Sequence, residues 1–168
     1  DRDGLPDIVR FWLARIRTDD PVGSIPIGLI YGPSGCGKTS LVRAGIIPRL
    51  HHPCTTIYLQ ATPELTESSL VDAIKSKFGD DRFGATSPSD LADMIAGLRR
   101  GNQSKVVLFI EQFEQWLFSH PDIEREPLTA ALRQCDGAHV PCILMVRDDF
   151  WMAATRFMRD LEIRLLEA

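Results

Sequence analysis

Residues Gly32, Pro33, Ser34, Gly35, Cys36, Gly37, Lys38 and Thr39 form an unbroken G-x-x-x-x-G-K-[ST] string, and few strings of this length restrict a fold so tightly. The glycines let the backbone wrap closely, so successive N–H groups face inward at a polyphosphate. Lys38 adds positive charge for the β- and γ-phosphates, and the Thr39 hydroxyl can ligate Mg²⁺. Ser40 follows in the helix that begins here, whose dipole aims its positive end at the same anion. The ligand these parts suit is a nucleoside triphosphate.

Such a loop must follow a buried strand and open a helix. Ile27 to Tyr31 is a short apolar run bounded by Pro26 and Gly32, and it reads as a strand buried on both faces. Thr39 to Leu50 reads as an apolar helix that Pro48 brings to its end. Further strands are expected at 55–60, 105–110 and 140–146. Helices are expected at 64–78, from Ser89 or Asp90 to about Arg100, from about Phe113, between Glu124 and Gln134, and from Asp149 onward with Leu165 on its apolar face. Upstream, Ile8, Val9, Phe11, Trp12, Leu13 and Ile16 mark one face of an amphipathic helix. Strands alternating with helices predict an α/β fold in three layers, with a parallel sheet covered on both sides. Residues 1–24 are read as an N-terminal helix and linker, and residues 25–168 as the core.

Composition narrows the partners. At 168 residues, 44% of them hydrophobic and 25% charged, the chain suits one soluble domain. A net charge of −4 gives no footprint for nucleic acid, so none is expected as a partner. No apolar run reaches the length of a membrane span, and no secretory signal is evident. The four cysteines, Cys36, Cys54, Cys135 and Cys142, show neither C-x-x-C spacing nor a disulfide framework, which fits a reducing cytoplasm. Cys36 is read as a variable position of the loop, and His51 and His52 as solvated loop histidines.

A phosphate loop also needs an acidic residue at the end of a neighbouring buried strand, to serve the metal and the attacking water. Val106 to Ile110 is the apolar run that closes on a carboxylate, Glu111. Glu114, three residues on, is either a general base for water or part of an acidic helix start. Arg147 closes the last strand. It either reaches the γ-phosphate as a sensor or forms a salt bridge to Asp148 or Asp149.

Three blocks in order resemble one family. The segment from Gly32 to Leu50 resembles the phosphate loop and following helix of the bacterial novel STAND NTPases, relatives of the NACHT and NB-ARC switch ATPases. Residues 109–117 are similar to their Walker B segment, and Met145 to Phe150 to their sensor strand. Arg2 and Asp3 resemble part of the stretch that opens such modules. The resemblance implies an ASCE-type core of strand order 5-1-4-3-2, with the fifth strand lacking here and order 1-4-3-2 remaining. It also implies ATP with Mg²⁺ as ligand, slow hydrolysis driving a switch, and self-association when ATP is bound. Partners would be other domains of the same chain, namely an effector and a sensor or repeat region. Lys38 would then hold the β/γ-phosphates, Thr39 and Glu111 would serve Mg²⁺, and Arg147 would sense the γ-phosphate. The chain departs from the pattern in carrying Glu111 where aspartate is usual and Gln115 in an acidic pair. A non-hydrolysing ATP-bound scaffold and a small-molecule kinase are the alternatives. A GTPase is disfavoured because no Asn/Thr-Lys-x-Asp motif occurs.

Overall fold

Four strands pair side by side, and the two central ones, over 105–111 and 142–147, are too hydrophobic to leave either face in water. β1 (Ile27–Gly32), β2 (Cys54–Gln60), β3 (Lys105–Glu111) and β4 (Cys142–Arg147) form one parallel sheet in the order β1-β4-β3-β2. The computed structural model describes residues 4–20, 22–50, 54–83, 87–101 and 104–161. The readings made above for Arg2, Asp3, His51, His52 and Leu165 lie outside those residues. The register sets Gly32 opposite Arg147 and Gln60 opposite Glu111, so the strands end together along one rim. Crevices at the carboxyl ends of parallel strands are where α/β sheets take ligands.

Period-two alternation divides the strand residues between two cores. Ile30, Val107, Phe109, Ile143 and Met145 face a layer made by α1 (Asp7–Arg17) and the helix after the phosphate loop. Leu108, Ile110, Leu144 and Val146 face the opposite layer. That layer holds α3 (Thr66–Phe78), α4 (Leu91–Gly101), α5 (Glu114–Ser119), α6 (Pro127–Leu132) and α7 (Trp151–Asp160). The molecule is therefore the expected three-layer α/β sandwich.

Two local departures from the sequence reading have physical causes. The helix after the loop is α-helical only over α2 (Lys38–Ser40); it widens to π-type turns over Leu41–Ile46 and ends in a 3₁₀ turn, Ile47–Arg49. Pro48 has no N–H to give the ladder, and the Arg49 guanidinium donates instead to the carbonyls of Ala44 (2.9 Å) and Gly45 (2.8 Å). The second departure concerns α4. It is preceded by a 3₁₀ turn at Pro88–Asp90 that Ser87 caps, so the chain begins to coil before Ser89. Asp90 closes the reciprocal box by accepting the Ser87 N–H at 2.8 Å, and its bonds with Ser87 hold the carboxyl below its ordinary value.

Lys105 opens β3 yet is only 7% exposed. Its ammonium donates to the carbonyls of Ile16 (2.8 Å), Thr18 (2.9 Å) and Gly137 (3.1 Å) and pairs with Asp19 at 3.0 Å. These carbonyls include those left over where α1 ends, so one buried cation fastens that helix to the sheet.

Candidate functional site

The loop between β1 and α2 has the tight path its glycines permit. Gly35 and Gly37 have φ of 78° and 95°, in the left-handed region that side chains resist. A Cβ on Gly32 would sit 2.8 Å from the Cys36 sulfur. Ser34, Gly35, Gly37, Lys38, Thr39 and Ser40 line one side of a cleft of about 270 Å³; Glu111, Gln112, Glu114, Met145 and Arg147 line the other. Pro33 and Gly32 contribute their carbonyls, to which Lys38 Nζ donates at 2.9 and 2.7 Å. Cys36 lies outside this cleft, with its sulfur 3.8 Å from the Lys38 ammonium.

Glu111 lies on the same sheet face as Val107 and Phe109, because strand alternation carries it there, and this is the face that α2 covers. The Thr39 hydroxyl donates to its Oε1, and the Tyr58 hydroxyl donates to its Oε2. Oε1 thereby faces the mouth of the loop, while Oε2 is held from β2. Burial, and then the bond to Glu111, push the Tyr58 phenol well above its ordinary pKa, so it remains a donor. A hydroxyl and a carboxylate meeting at one point are the hard oxygen donors that Mg²⁺ accepts.

Beyond Glu111 the chain turns sharply. Gln112 has φ of 54°, unusual for a residue with a side chain. Its side chain accepts a hydrogen bond from Gln60 at 2.8 Å, and the next amide, Phe113 N–H, is bound to the Met145 carbonyl at 3.0 Å. The turn starts α5 with Glu114, which is 4% exposed, with Oε2 3.4 Å from the Arg147 amide nitrogen. Arg147 lines the cleft, but its guanidinium is held by Asp149, with Nε 3.1 Å from Oδ1 and a second bond from Nη2 to Oδ2. Of the two partners weighed for Arg147, Asp149 makes the pair.

A second, more apolar recess of about 340 Å³ opens beside the loop. Ile8, Phe11 and Trp12 of α1, Leu29, Ile30 and Tyr31 of β1, and Cys36, Gly37, Lys38 and Leu41 line it. Sequence reasoning missed this recess, together with Tyr58 and Gln112. The aromatic residues of α1 read as ordinary core, and nothing in β2 indicates that Tyr58 will meet Glu111 until the register Tyr58 to Phe109 is known.

Comparison with known proteins gives a family and a fold. The family described as Novel STAND NTPase 1 matches residues 9–166. No curated protein sequence matches the chain significantly. Among solved structures, the Aeropyrum pernix ORC2 protein in its ADPNP–ADP complexes aligns at TM-score 0.64 and 19% identity, over 95% of this chain and 46% of that one. Drosophila ORC bound to AT-rich DNA and Cdc6 aligns at TM-score 0.62 and 11% identity, over 96% of this chain and 52% of that one. At such identities the likeness is one of fold, and the chain spans about half the length of these structures. No helix among the described residues is long and apolar enough to cross a membrane.

Proposed function

This chain belongs to the novel STAND NTPase family, and from that membership we propose that it binds ATP with Mg²⁺ as a regulatory switch, hydrolysing it slowly, within a larger cytoplasmic signalling protein. The observation that carries the proposal is the meeting of Thr39 and Glu111 at the mouth of the phosphate loop. These residues arrive from positions 72 apart in sequence.

In this reading the loop amides of residues 34–39 cradle the phosphates. Lys38 leaves the carbonyls of Gly32 and Pro33 to meet the β- and γ-oxygens. Thr39 and Glu111 would hold Mg²⁺, which neutralises phosphate charge. The phosphates occupy the cleft, and the apolar recess beside it offers Phe11, Trp12 and Tyr31 as flat surfaces for a base. Glu114 is the base or orienting group for water, because it is buried within the same cleft. Arg147 reads the γ-phosphate after release from Asp149. Effector and sensor domains of the same chain, and a second copy in the ATP state, are the partners proposed. A non-hydrolysing role keeps support from Glu111, whose extra methylene moves the carboxylate relative to an aspartate.

Thermal unfolding with Mg-ATP, Mg-ADP and Mg-GTP tests this. Ligand at 100 times its dissociation constant stabilises by about 2.7 kcal/mol, or roughly 5–10 °C for a chain of this size. Mg-ATP is expected to raise the midpoint, and Lys38→Ala to abolish the rise. Equal shifts in wild type and variant would remove the site assignment. ADP release at no more than a few turnovers per minute is expected, and its complete absence with ATP bound would favour the scaffold.

A further inference from the structure

On the layer opposite the phosphate loop, Glu67, His120 and Glu126 converge from three elements. Glu67 is in the first turn of α3, His120 closes α5 and Glu126 precedes α6. One ligand atom from each lies within 4.8 Å of the other two. Glu67 is 8% exposed, and the His120 and Glu126 side chains 18% and 28%. Glu67 is buried and Glu126 is partly withdrawn from water, so a cation between them would meet two carboxylates at reduced hydration.

The orientation of the imidazole is informative. His120 Nδ1 lies 2.8 Å from the Trp116 carbonyl oxygen, which can only accept, so Nδ1 carries the hydrogen. That leaves Nε2 as the ring atom facing Glu126 Oε2, 3.9 Å away, and free to offer a lone pair to a metal. That separation is too long for a hydrogen bond, but it suits two ligands of one ion. A backbone carbonyl on the far nitrogen is also the usual support for a metal-binding histidine. Glu67 is oriented by the same residue, for Trp116 Nε1 donates to its Oε1 at 2.7 Å. Trp116 is itself fully buried, stacked on Phe113 at 5.3 Å and on His120 at 4.7 Å. One immobile tryptophan therefore aims two of the three ligands.

We propose that Glu67, His120 and Glu126 bind a zinc ion, with water completing the shell. A neutral imidazole and two carboxylates match the charge of a divalent cation and the mixed nitrogen and oxygen preference of zinc. Tetrahedral bonds of about 2.0–2.1 Å place ligand atoms about 3.3 Å apart, so small side-chain rotations close the site. The ion would join α3, α5 and α6, and α5 is the helix that begins with Glu114. Zinc occupancy thus stiffens the element that carries a carboxylate into the nucleotide cleft.

Calorimetric titration of zinc into nucleotide-free protein tests the proposal, with circular dichroism as the check on folding. Uptake of about one equivalent is expected, and His120→Ala and Glu126→Gln should each weaken it by more than about 100-fold, beyond the roughly 10–100-fold that outer-shell changes cost. Glu126→Gln keeps shape and size, so it carries the test should His120→Ala fail to fold. No uptake by the folded wild type at micromolar zinc overturns the site. So does uptake that survives Glu126→Gln and is lost in Cys36→Ser.

Discussion

Glu111 shows how one residue depends on neighbours that its own sequence position does not announce. Its longer side chain is fixed at both oxygens, by Thr39 from the loop and by Tyr58 from β2. Tyr58→Phe removes the second donor and should cost about 1 kcal/mol in urea unfolding. ATP turnover should fall further than ATP affinity, because a freely rotating carboxylate still attracts the metal; unchanged turnover would make Tyr58 only a packing residue. Arg147 gives a prediction of the opposite sign. Its pairing with Asp149 competes with any phosphate, so Asp149→Ala should tighten ATP more than ADP. Titration of both nucleotides checks this, and parallel changes would count against a γ-phosphate sensor. Lys38 and Thr39 were read from motif spacing, and Glu111 from the apolar run that it closes. Tyr58 was not, because strand register determines what faces a carboxylate.

At the scale of elements, close approach explains two glycines. A Cβ on Gly28 would lie 2.5 Å from the Trp12 ring and 2.9 Å from Ile143 Cδ1. β1 therefore accepts α1 only because that residue has no side chain. Gly28→Ala should destabilise by about 1–3 kcal/mol through overpacking, measured as a lower urea midpoint at constant slope. Gly45 plays a similar part, with a Cβ there falling 3.1 Å from Val9. The widened turns between Leu41 and Ile46 were not foreseen, since the apolar spacing of Leu41, Val42 and Ile46 suits an ordinary helix. The strands were well anticipated, with ends moved by one or two residues, because long apolar runs bounded by turn residues have few other uses. β1 stands at one edge of the sheet, as expected, and Tyr31 packs on Trp151 there at 4.2 Å.

For the whole molecule, buried groups report on global opening. Cys142 is fully buried, which pushes its thiol well above the ordinary value, and burial with the nearby Asp136 charge pushes Cys135 up to about 12. Neither forms thiolate at neutral pH, so labelling of both should follow global unfolding while exposed Cys36 reacts at once. Fast labelling of Cys142 in native buffer would refute that ordering. Asp136 contributes to the acid limb. Burial works to raise it, but hydrogen bonds from His139 and Val140 together leave its carboxyl below the ordinary value. A depressed folded pKa stabilises above the unfolded value of about 3.9 and loses that contribution as pH falls through the folded one. Unfolding midpoints should therefore decline below about pH 4 less steeply in Asp136→Asn than in wild type.

The chain's own order of residues was enough to specify the phosphate loop, the alternation of strands and helices, and the carboxylate that closes β3. These are local matters, set by glycine conformations, apolar periodicity and the spacing of a short motif. The strand order was expected only through the family resemblance, while what meets Glu111, and how Glu67, His120 and Glu126 come to share one place, were decided by packing alone. Two cores on opposite sides of one sheet must be filled simultaneously, and only that requirement brings residues dozens of positions apart within bonding distance.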